Sequence, residues 1–484
     1  MTERPHQRRG VVHEQVGNEY LEQRQLRSGA AGWVLLAGLG VAYVISGDFA
    51  GWNFGLAEGG WGGLLIATIL MAIMYTCMVF ALAEMSSAMP TAGGGYTFAR
   101  RAMGPWGGFL TGTAILIEYA IAPAAIVVFI GGYIEALPLG IDSGWWIYLI
   151  FYAAFVGIHL LGVGEALKVM FAITVIAVIA LVVFVIGMIP EFSASNLTDI
   201  APDESKSGAS DFLPFGYGGV LAAFVYGIWF FLAIEGVPLA AEETADPKRD
   251  MPKGIIVGML ILLLFAALML TLAPGGAGSD VIKESDNPLP LAADTALGKD
   301  SFVGEFVNYV GLAGLIASFF SIIFAYSRQL FALSRAGYLP RALSVTTGRR
   351  VPAVALILPG AIGFLLAAIT EDGARMIQIA VFGATVSYVL MLTSHIVLRR
   401  REPGLERPYR TPGGIATSGV GWVLAVAAVV AVFAVDETAA LITLGVYLVA
   451  VAYFALYSRH HLVAQAPEEE FDAIQRAEAE LAGS

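Results

Sequence analysis

Asp48, Glu118 and Glu235 each fall inside a long apolar stretch of this chain. Hydrocarbon does not tolerate an unpaired charge, so a carboxylate in such a place meets a cation, carries a proton or lines a wet cavity. Asp48 belongs to Ser46-Gly47-Asp48-Phe49, where glycine releases the helix. Glu235 belongs to Trp229-Phe230-Phe231-Leu232-Ala233-Ile234-Glu235-Gly236-Val237-Pro238, where proline removes a backbone donor. Glu118 stands in Ile117-Glu118-Tyr119. Carboxylates, interrupted helices and aromatic rings together suit a pocket for a small organic cation. Phe49, Tyr119, Trp229, Phe230 and Phe231 are the candidate walls, with helix packing the ordinary alternative for each ring. Ser46, Ser318 and Ser321 offer hydroxyls that would bind a substrate hydroxyl or join helices.

The elements that must hold these groups are membrane helices. Of 484 residues, 57% are hydrophobic and 14% charged, and the mean hydropathy is +0.75. Apolar runs of about 20 residues, each able to cross about 30 Å of hydrocarbon, recur along nearly the whole length. This is an all-α polytopic membrane protein embedded in a lipid bilayer, with no sign of nucleic-acid binding. About twelve spans are expected. They fall at residues 31–57, 62–88, 106–136, 145–163, 167–189, 216–239, 254–273, 302–333, 351–370, 375–397, 419–435 and 438–457. The formal net charge of -12 comes mostly from loops and an acidic tail. A lone cysteine, Cys77, excludes an intrachain disulfide. His460-His461 lacks the further ligands that a metal site needs, so neither metal nor cofactor is expected. An intramembrane enzyme would want a nucleophile with a base, or a histidine cluster, whereas His159 and His395 stand near span ends.

An even number of spans puts both termini on one side. Assigning them and alternate loops to the cytoplasm gathers about 22 of the 27 Lys and Arg residues there and leaves about four outside. Arg100-Arg101, Lys248-Arg249-Lys253, Arg349-Arg350 and Arg399-Arg400-Arg401 carry the asymmetry. Residues 1–30 are polar and lack the apolar core of a cleavable signal, so this tail is expected in the cytoplasm. Next come helices one to five at 31–189, an external loop at 190–215 and helices six to ten at 216–397. A cytoplasmic loop at 398–418, helices eleven and twelve at 419–457 and a cytoplasmic tail at 458–484 complete the division. Residues 190–215 and 274–300 read as solvated connections. In the last tail, Glu468-Glu469-Glu470 followed by Phe471, Ile474 and Ala477 predicts a short surface helix.

The interrupted spans are the first and the sixth, which therefore run in opposite directions. Such a pair points to inverted repeats and a substrate site at mid-membrane between them. Four motifs add identity to the pattern. Glu84-Met85-Ser86-Ser87-Ala88-Met89-Pro90-Thr91-Ala92-Gly93-Gly94-Gly95-Tyr96 follows the second span, and Glu242-Glu243-Thr244-Ala245-Asp246-Pro247-Lys248-Arg249-Asp250-Met251-Pro252 follows the sixth. Ser327-Arg328-Gln329-Leu330-Phe331-Ala332-Leu333-Ser334-Arg335-Ala336-Gly337-Tyr338-Leu339-Pro340 ends the eighth, and Arg407-Pro408-Tyr409-Arg410-Thr411-Pro412-Gly413 precedes the eleventh. Together they resemble the amino acid/polyamine/organocation transporters. The resemblance implies two inverted five-helix repeats with broken helices one and six, two peripheral helices, and alternating access in a bacterial-type inner membrane. Residues 46–56 are similar to the matching segment of bacterial ethanolamine permeases.

Amino-acid carriers of this kind generally hold the substrate carboxylate on freed amides in a small-residue turn of the first helix. Here the third position of that turn is Asp48. Two like charges about 4 Å apart repel by about 4 kcal/mol at an effective dielectric of about 20, which nearly abolishes carboxylate binding while Asp48 is ionised. A bare ammonium is attracted instead. The expected function is uptake of a small organic amine, ethanolamine foremost, around Ser46, Gly47, Asp48, Phe49, Tyr119, Trp229, Phe231 and Glu235. Asp48 would touch the ammonium or cap the next half-helix, Glu235 would gate or touch substrate, and Glu118 would accept a proton or brace the breaks. Glu243, Arg249 and Arg328, with Arg335, are expected to hold an inner gate. An amino-acid permease or exchanger, with Asp48 protonated or turned away, is the alternative within the family. A membrane sensor using the same pocket is the alternative outside it.

Coupling is read from what span five lacks. Where the resemblance places a proton-carrying lysine, this chain has Ala177, and Lys168 at the mouth is a snorkelling anchor. One charge moving inward through about 100 mV gains about 2.3 kcal/mol, roughly fifty-fold accumulation, so potential-driven uptake is expected, with proton coupling through Asp48, Glu118 or Glu235 in reserve. Sodium between spans one and eight would use Ser318 and Ser321, where packing is the expected role. No feature of the sequence sets an oligomeric state. A fluorescent protein that matures only in the cytoplasm should glow when fused after Ser484 and stay dark when inserted in 274–300. The reverse pattern would overturn the orientation.

Overall fold

The computed structural model describes residues 7–8, 11–14, 16, 18–24, 31–91, 93–299, 301–435, 437–464 and 466. Among the described residues, 10 long apolar helices can each cross a membrane, and two shorter ones, Trp33–Val44 and Trp145–Leu161, bring the spans to the expected number. Span one is Trp33–Val44 continued by the turn Ser46–Phe49. Spans two to five are Phe54–Ala88, Gly95–Glu135, Trp145–Leu161 and Val163–Met188. Span six is built from Gly216–Ala222, Phe224–Trp229 and the 3-10 helix Ile234–Glu243. Spans seven to ten are Pro247–Ala277, Phe302–Arg335, Ala353–Thr370 and Gly373–Arg401. Ile415–Val435 and Glu437–Leu456 are spans eleven and twelve. The surface helix expected beyond Ala466 lies outside the described residues.

Spans one, three, six and eight are the most enclosed, whereas nine, eleven and twelve turn large apolar side chains such as Ile369, Val430, Val449 and Leu456 outward. An outward apolar surface on long helices is what lipid requires.

The first break lies further along than the sequence suggests. Ser46–Phe49 is a helical turn, and the chain leaves helical geometry at Ala50 (φ -159°, ψ 160°) and Gly51 (φ 93°). Gly51 is the residue that exploits glycine's access to positive φ. Gly47 serves a different end, because a Cβ there would stand 2.6 Å from the Trp229 carbonyl oxygen. Its bare backbone lets span six approach span one. The expected span at 31–57 is thus two pieces, since residues 54–57 already belong to the next helix, which bends at Gly60 (φ 65°). The second break covers residues 230–233, and Glu235 stands just beyond it, in the first turn of the 3-10 helix. Ala233 takes φ 79° there, a strain of about 1–2 kcal/mol that surrounding contacts must hold.

Two segments read as loops are folded. The Glu242–Pro252 motif divides between the end of the 3-10 helix and the first turns of span seven, with Pro247 at the helix start where its missing donor costs nothing. Residues 274–300 form the helices Ser279–Ile282 and Pro288–Leu297 and bury Leu289, Ala292 and Ala293. Asn53 clasps this connection onto the first break by donating to the carbonyls of Ile282 (2.7 Å) and Ser285 (2.8 Å). At the opposite end of the bundle, strand Val11–Glu14 pairs with Gln7–Arg8 and, in parallel, with Leu462–Val463. Arg341 binds Glu14 (2.7 Å), and Tyr20 donates to the Arg335 carbonyl (2.9 Å).

Gly47→Ala should lower the melting temperature in detergent, by the equivalent of about 1–3 kcal/mol, because the new methyl has only backbone to displace. Gly445→Ala, where nothing lies within 4 Å, should leave it unchanged. Equal melting of the two variants would refute the close-approach role.

Candidate functional site

The backbone groups freed in span one are met from three other spans. Tyr133 donates to the Phe49 carbonyl (2.9 Å), Trp229 Nε1 to the Ala50 carbonyl (2.9 Å) and Ser318 Oγ to the Tyr43 carbonyl (2.7 Å). Gly51 N donates to Asn53 Oδ1 (3.1 Å). Ser46 Oγ and Ser318 Oγ lie 2.8 Å apart, and Ser321 donates to the Ser318 carbonyl (3.0 Å). Ser46 and Ser318 therefore join spans one and eight, whereas Ser321 bonds within span eight. Phe49 presses its ring against Gly311 and Gly314 of span eight. Asp48 is fully buried, and neither carboxylate oxygen takes part in a hydrogen bond, so it caps no helix.

A second carboxylate centre lies elsewhere. Glu118 of span three and Glu235 of span six are both buried and face each other, with the Tyr388 hydroxyl of span ten facing both. Tyr119 donates to Glu235 Oε1 (2.9 Å), and Tyr75 of span two donates to Tyr388 (2.7 Å). Tyr43 and Tyr119 both stand over Gly236, and the Phe231 ring centre is 5.4 Å from that of Tyr75. Glu118 Oε1 and Oε2, Glu235 Oε2 and the Tyr43 hydroxyl have no hydrogen-bond partner.

The structure therefore gathers Glu118, Tyr119, Phe231 and Glu235 in one chamber, while Ser46, Gly47, Asp48 and Phe49 stand apart from it. No charged neighbour among the described residues acts on Asp48. Helical geometry explains the separation. Because the chain stays helical to Phe49, Asp48 comes five residues after Tyr43 and points roughly 140° away around the helix. Trp229 spends its indole N–H on the break, and Phe230 stacks on Trp52 at 5.4 Å. Tyr43, Tyr75 and Tyr388 are members that the sequence does not single out. Each is a phenol in an apolar run, a signal that marks a buried hydrogen bond without naming its partner.

Four motifs form two knots at the end that carries both described chain ends. Arg328 binds Glu243 (2.5 Å) with both side chains buried, and Arg335 binds Glu242 (2.8 Å). Phe324 lies under the Arg328 guanidinium, 4.6 Å from ring centre to charge. Arg249 is exposed on the first turn of span seven and takes no part in this knot. In the second knot, Glu84 receives Arg399 (2.5 Å), Arg407 (2.9 Å) and the Thr411 amide (2.7 Å), with His395 at 3.2 Å. At the other end an open cavity of about 510 Å³ is lined by Phe54, Tyr226, Gln378, the three carboxylates Glu58, Glu284 and Asp372, and one guanidinium, Arg375, among others. Its acidic walls raise the local concentration of cations.

Residues 34–470 match the family described as amino acid permease. The chain is 28% identical to an uncharacterized transporter of Rhizobium meliloti, over 77% of this chain and 80% of that one. It is 24% identical to a branched-chain amino acid permease of Bacillus subtilis, over 82% and 86% of the two. A low-affinity putrescine importer of Escherichia coli is 26% identical, over 68% and 72%.

Arg328→Ala should destabilise the protein by about 3–5 kcal/mol in detergent unfolding, because it leaves Glu243 buried and unpaired. Replacing both partners together, Arg328→Met with Glu243→Leu, should recover most of that loss. A single variant as stable as the parent would show that the pair is not closed in solution.

Proposed function

Because this chain belongs to the amino acid permease family, and is thus a membrane transporter and not an enzyme, we propose that it imports a small organic amine by alternating access, with ethanolamine as the favoured substrate. The observation that carries the reading is the set of buried carboxylates. Asp48, Glu118 and Glu235 meet no basic side chain among the described residues. Buried carboxylates without a resident cation hold a proton or receive a cation that arrives.

Chemistry sorts the candidates. A substrate carboxylate would belong on the small-residue turn of span one, where Asp48 opposes it when ionised. An amine without a carboxylate meets no such barrier, and the phenols and Phe231 around Glu118 and Glu235 suit its alkylammonium end. One relative is named for an amine, putrescine, and another for branched-chain amino acids, so the family name alone does not choose between them. In the orientation that the basic loops support, the acidic cavity faces outside and the Arg328–Glu243 and Arg335–Glu242 pairs close the cytoplasmic side. That arrangement is primed for capture from outside. Ser46, Gly47, Asp48 and Phe49 then shape the turn that selects, with Tyr119, Trp229, Phe231 and Glu235 along the substrate's way.

The test is competition in liposomes holding the purified protein. Unlabelled ethanolamine should block uptake of labelled ethanolamine, whereas alanine and glutamate at about a hundredfold excess over ethanolamine should not, a discrimination of at least about 2.7 kcal/mol. Alanine competing as well as ethanolamine would restore the amino-acid permease reading.

A further inference from the structure

Glu118 and Glu235 come from different spans, yet the fold presents them as one group. Both are fully enclosed, and no arginine, lysine or histidine among the described residues acts on either. What faces them is a cage of phenols, Tyr43 from span one, Tyr75 from two, Tyr119 from three and Tyr388 from ten. Beyond Tyr43 lies the Arg328–Glu243 pair, whose opposite charges largely cancel. Tyr119 donates to Glu235 Oε1, and the Tyr388 hydroxyl faces both carboxylates. Glu118 Oε1, Glu118 Oε2 and Glu235 Oε2 are left open.

Two carboxylates side by side in such surroundings do not both stay ionised without a cation. Their repulsion is about 4 kcal/mol at about 4 Å and an effective dielectric of about 20, and desolvation adds to it. One positive charge relieves this, and two would reverse it. A proton between the carboxylates satisfies the requirement, as does a primary ammonium, whose three N–H donors equal in number the open oxygens. A quaternary ammonium offers charge but no donor.

We propose that Glu118 and Glu235 form a single exchange centre for one positive charge, holding a proton in the empty carrier and the primary ammonium of the substrate in the loaded one. The inference rests on the amine reading above. No covalent bond to carbon or nitrogen changes. The shared proton leaves to water as the ammonium N–H groups take its place, and it returns when the amine departs. Each amine carried inward is then exchanged for a proton carried outward, in place of the potential-driven uptake expected from the sequence.

The experiment is ethanolamine binding to the purified full-length protein in weakly buffered detergent, with a pH-indicating dye to count protons and labelled ethanolamine to count binding. About one proton should appear per ethanolamine bound, and Glu118→Gln and Glu235→Gln should each cut that ratio at least about fivefold. Choline should compete at least about tenfold more weakly than ethanolamine, for want of N–H donors. Should either glutamine variant fail to fold, the parent protein still decides. Its apparent affinity for ethanolamine should rise with pH, by up to about tenfold per unit while the centre holds its proton, since two ligands that exclude each other must do so reciprocally. Ethanolamine binding that releases no proton and ignores pH would overturn the exchange centre and leave the amine reading standing. Absence of ethanolamine binding to the parent protein would overturn both.

Discussion

Inside hydrocarbon a helix can be interrupted only where something replaces the backbone partners it gives up. Span one meets that condition with side chains drawn from spans three, six and eight: Tyr133 on the Phe49 carbonyl, Trp229 on the Ala50 carbonyl and Ser318 on the Tyr43 carbonyl. The rest of the interior follows from this. Span six must come close enough for Trp229 to reach Ala50, which is why Gly47 carries no side chain. Span eight must present Ser318 and the bare faces of Gly311 and Gly314 to the same turn.

That satisfaction of the backbone leaves the carboxylates conspicuous. Every carbonyl named above has found a donor, whereas Asp48 has none among the described residues. Elsewhere the same chain treats buried acids differently, giving Glu84 two arginines and a backbone amide, and Glu243 an arginine. The contrast sorts the acids by purpose. Those at the closed end hold spans together, and those at the middle of the bundle have no basic partner among the described residues. A family whose relatives are named for amino acids and for putrescine has room for both kinds of cargo.

Much of this is legible in the sequence because membrane helices announce themselves locally. An apolar run of the right length needs no knowledge of its neighbours, so the spans and their order can be read directly. The meeting of Arg328 with Glu243 is legible too, since one carboxylate and one guanidinium stranded beside apolar runs have few other partners. What stays hidden are relations between distant segments. Nothing near Gly47 says that Trp229 approaches it, so the sequence points to that glycine as the break when Gly51 makes it. The fold of 274–300 is hidden in the same way, because Asn53, more than 200 residues earlier, supplies the clasp. A single expected pocket becomes two centres because a turn that reads as unwound stays helical and aims Asp48 elsewhere.

The parallel pairing of Val11–Glu14 with Leu462–Val463 sets the order in which the molecule can be made. Val11–Glu14 has this partner register, His13 opposite Leu462 and Glu14 opposite Val463, only after the last span has been synthesised. Until then Val11–Glu14 lacks that partner, and Tyr20 and Arg24 have Arg335 and Ser344 to reach only after span eight is in place. Insertion of the helices and closure of that pairing are therefore separate events in biosynthesis, the second necessarily the later. A nascent carrier stalled before its final strand would have its spans in the bilayer and this seam still unsewn.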